Sequence, residues 1–130
     1  MGPVFFCYNV VETKVIMIRI VHLSSGEQVI TKVTEVRDKD GDPFCFMFTM
    51  PMLLTLIPGE TEKDAKINYL PWSPFSSAVE YRVSFEKIIT VAEPLDYVLD
   101  SYVNIVQPKY PVLDPKEFEQ YLQNRRNKNG

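Results

Sequence analysis

The chain has little of what chemistry usually requires: one histidine, two cysteines and five glycines in 130 residues. Cys7 and Cys45 are too few for a disulfide framework, and their spacing fits no zinc or redox motif, so a reducing, cytoplasmic setting is expected. His22 falls in an aliphatic stretch on the parity of Ile18 and Ile20, where an imidazole serves a core or interface more often than a reaction. Gly-rich phosphate loops, a nucleophile elbow and zinc-ligand spacing are all absent from the sequence. We therefore assign no catalytic residue, no metal ligand and no cofactor, and an enzyme is not expected. Long apolar runs are missing too. Nothing approaches the roughly 18 uncharged residues of a membrane span, and Val4-Phe5-Phe6-Cys7 lacks the basic lead and cleavage site of a signal peptide. No membrane partner is expected. Fourteen Lys and Arg against seventeen Asp and Glu leave a net charge of -3, which gives no global pull toward nucleic acid.

What the chain does have is enough apolar content, 45%, to fold as one domain. Residues 15–23 are β-branched and apolar on both parities, the pattern of a strand covered on two faces. Ser24-Ser25-Gly26-Glu27 supplies a turn, and Val29, Thr31 and Val33 then alternate with Ile30, Lys32 and Thr34, which predicts a hairpin. Asp38-Lys39-Asp40-Gly41-Asp42-Pro43 is a second turn. Its regularly spaced acids resemble a calcium loop, but the glycine and distal glutamate of such a loop are misplaced, so a solvated hairpin turn is the reading. A long third strand follows over residues 44–57, with Phe44, Phe46, Phe48, Met50, Met52, Leu54 and Leu56 on one parity. Pro51 cannot donate to a ladder and predicts a bulge or bend near its middle.

Residues 58–77 read as the main loop, with a short extended piece at Ile67–Leu70. The fourth strand runs from Val79 to Phe85 and the short fifth from Ile88 to Val91. Pro94 is placed at the first position of a helix whose stripe is Leu95, Val98, Leu99, Tyr102, Val103 and Val106. A second, shorter helix is expected with Asp114 as cap and Pro115 as its first residue, fraying into a disordered basic tail at Arg125, Arg126 and Lys128. The domain division is an N-terminal extension over 1–14, a β-barrel with its following helix over 15–106, and a short helix with a basic tail over 107–130. The fold class is mainly β, a small, strongly bent five-stranded antiparallel open barrel with one or two C-terminal helices.

This order of elements resembles the Sm-like (Sm/LSm) family, an SH3-like barrel. The match is carried by Leu23, Gly26, Val29 and Val33 within Leu23-Ser24-Ser25-Gly26-Glu27-Gln28-Val29-Ile30-Thr31-Lys32-Val33. Residues 15–106, with Ile88-Ile89-Thr90-Val91-Ala92-Glu93-Pro94 and the helix after it, are also similar to small uncharacterised proteins of marine phages and environmental sequences, which would place the chain in a host cytoplasm. The chain departs from the family at four points. Thr31 stands where the family has a strand glycine, and Gly41-Asp42 where it has Met-Asn. Phe85-Glu86-Lys87 replaces its Arg-Gly loop, and the best helix follows the barrel instead of preceding it. The resemblance implies a homo-oligomeric ring of roughly five to seven copies, joined by its fourth and fifth strands. It also implies RNA or single-stranded DNA as ligand, with Lys39 and Lys87 as cations and Phe85 for stacking. The alternative is a structural or protein-interaction ring in which Trp72 and Phe75, aromatics on a proline-rich loop, meet a partner.

Overall fold

A computed structural model describes residues 10–129. Cys7 and the first nine residues of the expected N-terminal extension lie outside the described residues, while residues 10–14 belong to the first strand. Six strands form one antiparallel sheet: β1 (Val10–Leu23), β2 (Gln28–Asp38), β3 (Pro43–Ile57), β4 (Lys66–Pro71), β5 (Glu80–Ser84) and β6 (Ile88–Ala92). Helices α1 (Asp96–Val106) and α2 (Pro115–Asn129) follow. The order across the sheet is β4-β3-β2-β1-β6, and β5 shares with β4 the edge of β3 that faces away from β2. Residues 45–49 of β3 pair with β5 and residues 52–57 pair with β4. The sixth strand is the difference from the sequence reading. The extended piece seen at Ile67–Leu70 is a full ladder partner of Met52–Ile57, hidden in composition between a charged run and a proline cluster.

One irregularity makes this arrangement possible. Ile30 pairs with Met52 and Lys32 with Thr49, so Thr31 alone faces Met50 and Pro51. Met50 takes a left-handed backbone, φ 51°, which is unfavourable for a side-chain-bearing residue. The bulge has its own set of hydrogen bonds. Met50 N–H donates to Val79 O at 2.7 Å, and Trp72 N–H donates to Pro51 O at 3.3 Å. The Thr31 hydroxyl donates to Thr49 O at 3.1 Å, and the buried Tyr102 hydroxyl of α1 reaches Met50 O at 2.8 Å and Thr49 O at 3.2 Å.

An extra residue inverts which face each later side chain occupies. Phe46 and Phe48 pack with Val21, Leu23, Val29, Val33 and Val83 inside the curl of the sheet. Met52 and Leu54 pack with Ile18, Ile30 and α1 on the outer face. The single apolar parity expected for the third strand is therefore split between two cores. Double burial of the strands is met within the chain. Val98, Tyr102, Val103 and Val106 of α1, with Val112 and Leu113 after it, cover the outer face of the sheet. The surplus apolar surface read from the sequence does not by itself call for a second copy.

The helices begin and end for local reasons. Pro94 lies ahead of α1 and is not its first residue, because Leu95 keeps an extended backbone (φ -62°, ψ 149°) and serves as the cap. Pro115 does start α2. Asp114 Oδ1 accepts from Glu117 N–H at 2.7 Å while Glu117 Oε1 accepts from Asp114 N–H at 2.9 Å, a reciprocal capping box. Lys32 of β2 ties this turn to the sheet, donating to Val112 O at 2.6 Å and pairing with Glu117 at 3.0 Å. The tail expected to be disordered is helical to Asn129, held against α1 by Arg125–Asp100 at 2.6 Å and Lys128–Asp96 at 2.8 Å. Tyr121 donates to the same Asp100 at 2.6 Å, and burial first, then that carboxylate, push its pKa up to about 12. Because the folded value lies above the unfolded one of about 10, its contribution is complete below pH ~10 and is lost as pH rises toward 12.

Replacing Tyr102 with Phe keeps the ring and removes the bond to Met50 O. Urea unfolding is expected to show a loss of about 1 to 2 kcal/mol with an unchanged slope. A loss indistinguishable from zero would mean that the hydroxyl does not hold the bulge.

Candidate functional site

The residues first singled out for nucleic acid sit on two separate turns. Lys39 is exposed at the β2–β3 turn among Asp38, Asp40 and Asp42. That turn is closed by Asp38, whose Oδ1 accepts from Asp40 N–H at 2.9 Å and Asp42 N–H at 3.0 Å, with Gly41 at φ 84°. The carboxylate at the head of the calcium-like spacing thus serves the turn itself. Among the described residues no group of three metal-binding side chains converges.

Phe85 and Lys87 lie on a single 3-10 turn, Phe85–Lys87, that joins β5 to β6. Phe85 sets its ring edge-on to Phe46, centroids 4.8 Å apart, and is half-buried by that contact. Lys87 is exposed beside Glu86, and its carbonyl accepts from Ser24 N–H at 2.8 Å, which fastens the 3-10 turn to the β1–β2 turn. Neither Lys39 nor Lys87 makes an ion pair among the described residues, and the two lie on different turns.

The two loop aromatics part company. Trp72 folds back over the inner core, 5.9 Å from the Phe48 ring and 5.6 Å from that of Tyr81, with its indole N–H 3.4 Å from Glu27 Oε1. Phe75 stands at the tip of the next turn with a relative exposure of 103% and no packing partner among the described residues. The turn beneath it is closed by Ser76 N–H donating to Ser73 O at 3.1 Å.

The other surface of note was not assigned from the sequence. A groove of about 420 Å³ opens on the outer face beyond the end of α1, floored by Ile20, His22 and Leu54 and walled by Ile67, Leu95 and Tyr97. Leu56, Leu95 and Tyr97 leave 67%, 63% and 61% of their surface open around it, an apolar rim that the described residues do not cover. In sequence Leu56 and Leu95 look like ordinary members of a strand and a helical stripe, and only the absent helical turn before Asp96 leaves Leu95 outside. His22, half-buried between Gln28 and Thr90, belongs to the floor. Cys45 is buried, and desolvation pushes its thiol pKa up against the downward pull of Arg82, which disfavours the thiolate a nucleophile needs.

A tryptophan that serves only a partner could be removed at a cost below about 0.5 kcal/mol. Trp72→Ala is expected to cost about 2 to 3 kcal/mol of folding stability in urea titrations, and a cost within the lower range would contradict its place in the inner core.

No curated protein matches the chain. Residues 16–107 match DUF6561, a family of unknown function, and the matched span runs from the β1 irregularity between Val15 and Met17 through the remaining strands to the end of α1. By that match, which covers more than half of its length, the chain belongs to the DUF6561 family.

Proposed function

We propose that this chain is a non-enzymatic, Sm-like barrel subunit that assembles head to tail into a closed homo-oligomeric ring of roughly five to seven copies. The observation that carries the reading is a pair of open edges. Among the described residues β5 pairs only with β3 and β6 only with β1, and the two strands are consecutive, of five residues each, and separated by one 3-10 turn. An SH3-like barrel is supported by the same path, in which a bulged third strand carries the penultimate strand back over the core and the last strand closes on the first. Open edges attract further strands, and joining β5 of one copy to β6 of the next satisfies both. Ile89, 70% exposed on β6, marks that edge as apolar.

Such a ring is best read as a structural or protein-interaction particle acting in the cytoplasm. Among the described residues no helix is long and apolar enough to cross a membrane. Single-stranded RNA or DNA is the second reading, favoured by the free ammonium groups of Lys39 and Lys87, which repetition around a ring would multiply. Against it stand the acids flanking both lysines, the net charge of -3 and the contact of Phe85 with Phe46 in place of a base.

Light scattering of the full chain at micromolar concentration is expected to give one species of five to seven subunits, and Ile89→Lys is expected to convert it to monomers without loss of fold. A monomeric wild-type chain overturns the ring. In the same preparation, a single-stranded oligonucleotide bound at low salt, released steeply as salt rises and weakened by Lys39→Ala and Lys87→Ala would establish the second reading.

A further inference from the structure

We propose that Phe75 of each copy inserts into the apolar groove rimmed by Leu56, Leu95 and Tyr97 of the neighbouring copy. The inference rests on the edge-to-edge reading and adds a specific contact to it. All five strand pairings in the sheet are antiparallel, so the next pairing continues in the same sense. Antiparallel addition of β5 to a neighbour's β6 over the full five residues of each strand sets Glu80 opposite Ala92 and Tyr81 opposite Val91. This register is consistent on both faces: Tyr81 packs on Trp72 of the inner core and Val91 belongs to that core, while Ala92 lines the outer groove.

The chain leading into β5 then runs past the end of the neighbour's β6, toward Glu93 and Leu95, and so into the groove. Phe75 precedes Glu80 by five residues, a reach of up to about 17 Å in extended chain. The knob and the hole suit each other. Phe75 is the most exposed large apolar residue described, at 103%. The groove offers about 420 Å³, whereas apolar cavities of about 150 Å³ take up benzene. An aromatic side chain seated in a pocket is the usual anchor of a protein interface. Knob and hole lie on different parts of one chain, so the contact is heterologous and repeats from copy to copy, as a ring requires. Nothing else among the described residues packs on Phe75, so its removal leaves the folded subunit intact.

The test uses the full chain with p-benzoylphenylalanine at position 75, and separately Phe75→Glu, each compared with wild type by light scattering across a dilution series. Irradiation is expected to give a covalent dimer on a denaturing gel, with the cross-link mapping to the peptide containing Leu95 and Tyr97 or to that containing Leu56. Phe75→Glu is expected to keep the wild-type circular dichroism and to raise the concentration of half-dissociation by about tenfold or more. A wild-type ring whose dissociation is unmoved by Phe75→Glu, with cross-links absent or mapping elsewhere, overturns the insertion and leaves the ring standing. A wild-type chain that stays monomeric overturns both.

Discussion

The fold depends on how the main chain is held at Met50 and Pro51. Proline removes a donor from the ladder, and the left-handed Met50 places backbone groups where β2 cannot pair with them. Left alone, such a site would cost several unmade hydrogen bonds in a buried region. Thr31 answers from the opposite strand, Val79 and Trp72 from the segments flanking the loop, and Tyr102 from the helix. No buried side-chain polar atom among the described residues is left without a partner. Burial pushes the Tyr102 pKa far upward, so the hydroxyl stays a donor throughout the physiological range. One bulge is therefore read by three layers of the molecule at once.

From that point the architecture follows. Because β3 changes direction there, its outer edge serves two strands in succession, β5 before the bulge and β4 after it. The inversion of side-chain parity sends Phe46 and Phe48 inward and Met52 and Leu54 outward, which creates two cores from one strand. α1 then lies on the outer core, positioned by its tyrosine. Its first turn falls short of Leu95, and the groove opens in the space left there. The open edge of β5 and the apolar groove thus trace to one local distortion and the helix packed on it.

Much of this was legible in the residues and some was not. Pro51 announced the bulge, because a missing N–H within an apolar run has few other uses. Asp114-Pro115 announced the second helix through its capping chemistry, while the part of Glu117 in that cap is seen only in the structure. The stripe from Val98 to Val106 announced the face that packs. Parity beyond the bulge was illegible, since a frame shift of one residue leaves no mark in composition and Met50 carries no signal of a positive φ. β4 was obscured because its six residues sit among prolines and charges, where pairing with β3 and not local pattern decides their conformation. The end of α2 was obscured because Arg125 and Lys128 look like a solvated tail in sequence, and their partners Asp100 and Asp96 stand on a different helix. The groove had no sequence signature at all. Thr31, by contrast, stands out in sequence as a departure from a strand glycine, and its hydroxyl bonds the strand at the bulge.

The central claim is that the two strands flanking the 3-10 turn at Phe85–Lys87 present edges that a second copy pairs. Amide hydrogen exchange across a dilution series reads those edges directly. The outward-pointing amides of β5 and β6, those not bonded to β3 or β1, are expected to be protected at concentrations where the ring is populated and to lose protection on dilution, while those of β2, enclosed between β1 and β3, stay protected throughout. Exchange at those outward-pointing amides that is fast and independent of concentration would contradict the claim.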